Sequence, residues 1–177
     1  DYILLKENVM VKRYTFLNEA QIDLDIQFYI HSELLSDQNN FVGCKLIDNG
    51  MIQYTHDFIV STFCKDHEIF SHQIHGSKNN IRSGEIYDKD YIGMSNDSSV
   101  SYDINIIKPG EKKQIDICIL LEEFPKDMAH LETEIERIRK IDFNSEYNKT
   151  KNYWRKYLKA HDGLNLKEPK NSYEEKL

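Results

Sequence analysis

Ile22-Asp23-Leu24-Asp25-Ile26-Gln27-Phe28-Tyr29-Ile30 is the stretch on which the fold class turns. Its apolar residues recur at every second position, Ile22, Leu24, Ile26, Phe28 and Ile30, while Asp23, Asp25 and Gln27 alternate with them. Successive side chains of an extended chain point to opposite faces, so this period predicts a strand with one buried and one wetter face. Two further runs behave alike: Val100, Tyr102, Ile104, Ile106, and Ile115, Ile117, Ile119, Leu121. Between them lies Lys108-Pro109-Gly110-Glu111, in which proline presets φ at the first corner and glycine accepts a positive φ at the second. The two runs are therefore expected to pair as an antiparallel hairpin. A second hairpin is expected where Phe41 to Ile47 and Met51 to Tyr54 flank Asp48-Asn49-Gly50.

Val9 to Phe16, Phe58 to Phe63, Glu68 to Ile74 and Glu85 to Tyr87 supply further strand candidates. About eight to ten strands with short turns and no intervening helix predict an antiparallel β-sandwich, with a closed barrel as the alternative. The periodicity changes beyond Pro125. Met128, Leu131, Ile135 and Ile138 form one helical stripe, and Tyr147, Thr150, Trp154, Tyr157 and Leu158 form another. Asp142, Asn144 or Ser145 is expected to cap the second helix, and Gly163 to end it. The predicted organisation is a sandwich over 1–125 holding the single core, a helical linker over 126–163, and a polar linker over 164–177 leading to an absent domain.

Charge follows the same division. The 177 residues carry 23 Lys and Arg against 30 Asp and Glu, a formal charge of −7. Residues 1–125 hold 11 basic and 20 acidic side chains, and residues 126–177 hold 12 and 10. The acidic balance argues against nucleic acid as a partner. No apolar run approaches the roughly 18 residues of a membrane helix, so no membrane partner is expected. The first residues, Asp1 to Lys6, lack the features of a signal peptide, and residues are expected to precede Asp1. Cys44, Cys64 and Cys118 are odd in number and widely spaced, which suits buried thiols in a reducing, cytoplasmic setting.

Chemistry-bearing patterns are sparse. His67, His72 and His75, with His56-Asp57 nearby, would suit a metal-dependent jelly-roll enzyme, but odd spacings put successive histidines on opposite faces of one strand. No metal site and no cofactor are expected. Asp23 with Asp25, Glu122 with Glu123, and Glu132 with Glu136 are paired carboxylates of the kind glycoside hydrolysis uses, and the plainer expectation is solvated faces. Gly76 to Gly84 looks superficially like a phosphate loop without the Gly-Lys-Ser/Thr ending, and no strand-to-helix context is expected around it. No catalytic residue is assigned. Tyr29, Tyr54, Tyr87, Tyr91, Tyr102 and Trp154 are aromatics able to stack on sugar rings, as in a free-standing carbohydrate-binding module, or simply to pack.

A family resemblance adds to this. Arg13-Tyr14-Thr15-Phe16-Leu17-Asn18, Asp48 to Asp57, Asp90-Tyr91-Ile92-Gly93-Met94-Ser95, Lys108-Pro109-Gly110-Glu111 and Tyr153 to Gly163 occur in that order. Over about residues 9–165 the chain resembles the N-terminal β-sandwich and helical linker of prokaryotic glucoamylase-like proteins, glycoside hydrolase family 15. The resemblance implies a following (α/α)6 barrel that carries both catalytic glutamates, needs no metal, and hydrolyses α-glucosidic bonds of a glucan or oligosaccharide with inversion. It implies that this piece is inactive and packs on that barrel as its partner within one polypeptide. Related sandwiches precede the barrels of disaccharide phosphorylases. Asp90, Tyr91, Gly93, Ser95 and Asn96 are then candidates for a loop walling the substrate cleft, and Tyr153, Trp154 and Tyr157 for packing on the barrel.

Overall fold

A computed structural model describes residues 2–3, 8–34, 42–91, 95–123 and 127–160, with residues 2, 3 and 128 described by backbone alone. Nine strands and three helices occur among them, in the order β1 (Tyr2–Ile3), β2 (Val9–Leu17), β3 (Leu24–Glu33), β4 (Gly43–Ile47), β5 (Gly50–Tyr54), β6 (Phe58–Cys64), β7 (Ser71–Ile74), α1 (Ser77–Arg82), β8 (Asp97–Ile107), β9 (Lys112–Glu123), α2 (Met128–Arg139) and α3 (Phe143–Ala160). The strands form two antiparallel sheets, β1-β2-β9-β6-β5-β4 and β3-β8-β7. The predicted β-sandwich is the observed architecture.

Two apolar clusters hold it. Met51, Cys64, Val100, Tyr102, Ile104, Ile107, Ile115 and Ile117 fill the space between the sheets, with Ile26, Phe28 and Ile30 of β3 packed against them. Val9, Val11, Ile52, Ile59, Phe63, Cys118 and Leu120 point the other way, onto Leu131, Ile135 and Ile138 of α2 and Phe143 of α3. The six-stranded sheet is thus covered on both faces. That explains why β9 is apolar at consecutive positions from Ile117 to Leu120: Ile117 enters the core between the sheets, and Cys118 and Leu120 enter the core facing α2. The core therefore extends beyond residue 125, where sequence reasoning confined it. Asp127 caps α2 by accepting the Ala129 N–H (3.1 Å), and Asp142 accepts those of Asn144 (3.0 Å) and Ser145 (3.3 Å). The helices are further tied to the sheet by Arg13, which donates to both Asp116 oxygens (2.7 Å each) and to Asn144 Oδ1 (2.7 Å).

Several expectations need correction. The Asp48-Asn49-Gly50 hairpin forms, but glycine is required at 50 for space: a Cβ there would lie 2.2 Å from the Thr62 carbonyl oxygen. The turn at Pro109-Gly110 also forms, with Gly110 at φ +75° and the Glu111 N–H donating to the Lys108 carbonyl (2.9 Å). Its flanking strands, however, do not pair. β8 bonds to β3 and β7, and β9 to β2 and β6, so the turn carries the chain from one sheet to the other. The β2–β3 connection is a second such corner, and Ile22 lies outside the strand, 66% exposed. Asn18 joins the corners. Its Nδ2 donates to the Ile22 and Ile107 carbonyls (2.8 and 2.7 Å), its N–H donates to Glu111 O (3.0 Å), and its carbonyl accepts the Gly110 N–H (2.8 Å). Glu85 to Tyr87 is not a strand, and a helix, α1, stands where none was expected.

Candidate functional site

The chemistry-bearing residues gather along the β7 side of the smaller sheet. β7 leads through His75 and Gly76, both with left-handed backbones (φ 68° and 69°), into α1. Gly76 to Gly84 thus does sit in a strand-to-helix context, contrary to expectation. Its backbone donors are already taken by a side chain of the fold. Asp97, at the start of β8, accepts the N–H groups of Gly76 (3.0 Å), Ser77 (2.8 Å) and Lys78 (3.3 Å). Burial alone would raise this carboxyl, but those three donors and the Ser95 hydroxyl outweigh it and hold Asp97 below the usual carboxylate range. Beneath α1, Ser99 donates to Ser77 Oγ (2.8 Å) and meets His31 Nδ1 at 3.0 Å. His31 Nε2 is buried with no hydrogen-bond partner.

The described residues of the predicted cleft loop are held by hydrogen bonds and a ring contact. Ser95 is buried; its N–H donates to Val42 O (3.1 Å) and its hydroxyl to Asp97 O (3.0 Å). The Asn96 carbonyl accepts from Leu34 N (2.8 Å), at the end of β3, and from Gln53 Nε2 (3.4 Å), on β5. Tyr91 stacks on the His75 ring at 4.4 Å and stays 39% exposed. Asp90 bonds His72 Nε2 (3.1 Å) with its side chain otherwise in solvent. Gly93 lies outside the described residues.

The other candidates disperse. His72 sits between Asp88 and Asp90, while His75 turns toward Tyr91 and Ser95. Among the described residues no group of three His, Cys, Asp or Glu is placed to hold a metal ion. Asp23 precedes β3, so it does not share a strand face with Asp25. Tyr102 is fully buried, donating to Asn49 O (3.0 Å), and is no sugar platform. Tyr153, Trp154 and Tyr157 form an aromatic cluster with centroids 5.4 to 6.4 Å apart, each about half exposed.

Sequence reasoning missed one groove of about 700 Å3 on the lateral opening between β4 and β7. It is lined by Leu46, Ile47, Asp48, Glu68, Ile69, Phe70, His72 and Asp88. Phe70 falls inside the strand expected over Glu68 to Ile74. In the structure it lies just before β7 and is 56% exposed.

No family model matches the chain, and no curated protein matches it. Among solved structures it is similar to a chain assigned as a kojibiose phosphorylase, from the human microbiome. The match has a TM-score of 0.56 at 12% sequence identity and covers 85% of this chain and 20% of that one. At that identity the likeness establishes a shared fold, and the chain spans about one-fifth of the neighbour's length.

Proposed function

We propose that this chain is the non-catalytic sandwich domain of a carbohydrate-active enzyme whose reacting groups belong to another domain. The observation that carries this is the fold match, in which 85% of this chain corresponds to one-fifth of a much longer chain assigned as a kojibiose phosphorylase. The finer assignment, family 15 hydrolysis of α-glucosidic bonds with inversion, rests on the sequence resemblance. The phosphorylase neighbour makes phosphorolysis by the parent the competing chemistry.

The geometry supports a packing role in a particular place. Phe143 and Thr150 bury the first half of the α3 stripe, whereas residues 151–160 are all exposed. The same stripe continues as Trp154, Tyr157 and Leu158, with Tyr153 beside it, all about half exposed or more. An aromatic ridge extending a buried face is a natural seat for a second domain, here the helical barrel of the same polypeptide. The loop at Asp90, Tyr91, Gly93, Ser95 and Asn96 would then furnish a wall of the cleft. We place the protein in the cytoplasm on its three free thiols; no described helix is long and apolar enough to cross a membrane.

Two measurements test the proposal. The coding sequence after Leu177 should encode a long helical region with two separated catalytic carboxylates for hydrolysis, or with a phosphate site for phosphorolysis. Purified chain should release no glucose from maltose or starch, and no glucose 1-phosphate from kojibiose with phosphate. Release of either product that survives repurification overturns the non-catalytic assignment.

A further inference from the structure

We infer that the lateral groove between β4 and β7 is a saccharide-binding subsite, distinct from the aromatic ridge on α3 and bordered by Asp90 through its bond to His72. The choice of a saccharide over other polyols rests on the carbohydrate-active reading above. The remainder rests on the groove itself.

It is an open depression of about 700 Å3 lined by both polar and apolar groups. It lies between the edge strand of the larger sheet and the edge strand of the smaller one, where Leu46 and Ile69 pack against the core between the sheets and Ile47 against the core that faces α2. Phe70 stands on this opening with more than half its surface in solvent. Its backbone is pinned, since the Ile69 N–H donates to Asp48 O and the Phe70 N–H to Ser101 O, both at 2.8 Å. An exposed aromatic on a fixed backbone is a preorganised stacking surface, costing little entropy when a ligand lands on it.

The polar groups converge from separate segments: Asp48 from the β4–β5 turn, Glu68 from the approach to β7, His72 from β7, and Asp88 from the stretch after α1. Asp88 is held in place by accepting the His72 N–H (3.0 Å), and its side chain is still 69% exposed. Asp48 and Glu68 make no ion pair among the described residues, so their oxygens are available as acceptors. A pyranose matches this combination. Its C–H face is apolar and suits the Phe70 ring, and its hydroxyls donate to carboxylates. An anionic ligand would be repelled by the same three acids.

The test is isothermal titration and NMR titration of the full 177-residue chain with maltotriose, kojibiose and, as a cationic control, spermidine. Saturable binding of one of the sugars, on the order of millimolar, is expected. Phe70→Ala should weaken it by about tenfold or more, Phe70→Trp should retain it, and Asp48→Asn with Asp88→Asn should weaken it, all with unchanged circular dichroism. Trp154→Ala should leave it unaltered. Absence of saturation with both sugars, sugar binding indifferent to Phe70→Ala, or binding of spermidine alone would overturn the subsite. The coding sequence after Leu177 reads the parent's chemistry independently, so failure of the groove and failure of the carbohydrate-active reading are told apart.

Discussion

Ser61 shows how finely single residues are balanced in this fold. It is wholly buried on β6, and its hydroxyl has no hydrogen-bond partner. Its strand neighbours on either side, Ile52 and Leu120, belong to the core that faces α2. A buried, unsatisfied hydroxyl costs stability, so Ser61→Ala should raise the unfolding free energy by about 1 kcal/mol, read from urea denaturation. Asn18 is the opposite case. Removing its amide leaves the Ile22 and Ile107 carbonyls without that donor, and Asn18→Ala should lower stability by about 2 kcal/mol in the same assay. Asp97 predicts a pH dependence. Its carboxyl is depressed in the folded state, so its stabilisation is complete above the ordinary carboxylate value and is lost as pH falls toward and through the lower folded value. Urea midpoints measured from pH 6 down to pH 2 should fall more steeply for the wild type than for Asp97→Asn; parallel curves would contradict the assignment. Burial pushes the Cys64 thiol up to about 11 and raises Cys118 as well. Both should resist a thiol reagent at neutral pH until denaturant is added.

At the scale of elements, α2 is the informative case. Leu131, Ile135 and Ile138 are almost completely buried against β2, β5, β6 and β9. Ile135→Ala should therefore cost about 2–5 kcal/mol, the range for a large core truncation, as measured by denaturant unfolding. A chain ending at residue 125 would expose the whole of that sheet face, and it should lose its near-ultraviolet circular dichroism or aggregate. Retention of a cooperative unfolding transition in that truncation would show that the helices merely rest on the sandwich. The stripe of α2 was legible from its spacing. Its burial partner was not, because an amphipathic helix packs equally well on its own sheet or on another domain.

Across the whole molecule, the two sheets, the helical layer and the lateral groove arise from residues far apart in the chain. Period two in Leu24 to Ile30 and in Ile115 to Leu121 was sufficient to identify strands, and Asp48-Asn49-Gly50 to place a hairpin, since these are local properties of backbone and side chain. The amino-acid pattern also contained the charge break, the α2 and α3 stripes, and the absence of any established catalytic motif. Which sheet a strand joins is another matter. Alternation tells which residues face inward but not which strand lies alongside, so the Pro109-Gly110 turn looked like a hairpin and proved to be a corner between sheets. The same limit hid α1, a six-residue helix too short for a periodic signal and held by Asp97 from 20 residues away. It also hid Phe70, whose place beside Leu46, Asp48 and Asp88 is set by segments distant in the chain. Local geometry is written in neighbouring residues; pairing, burial and the convergence of Asp48, Glu68, His72 and Asp88 come into being only when distant segments close on one another.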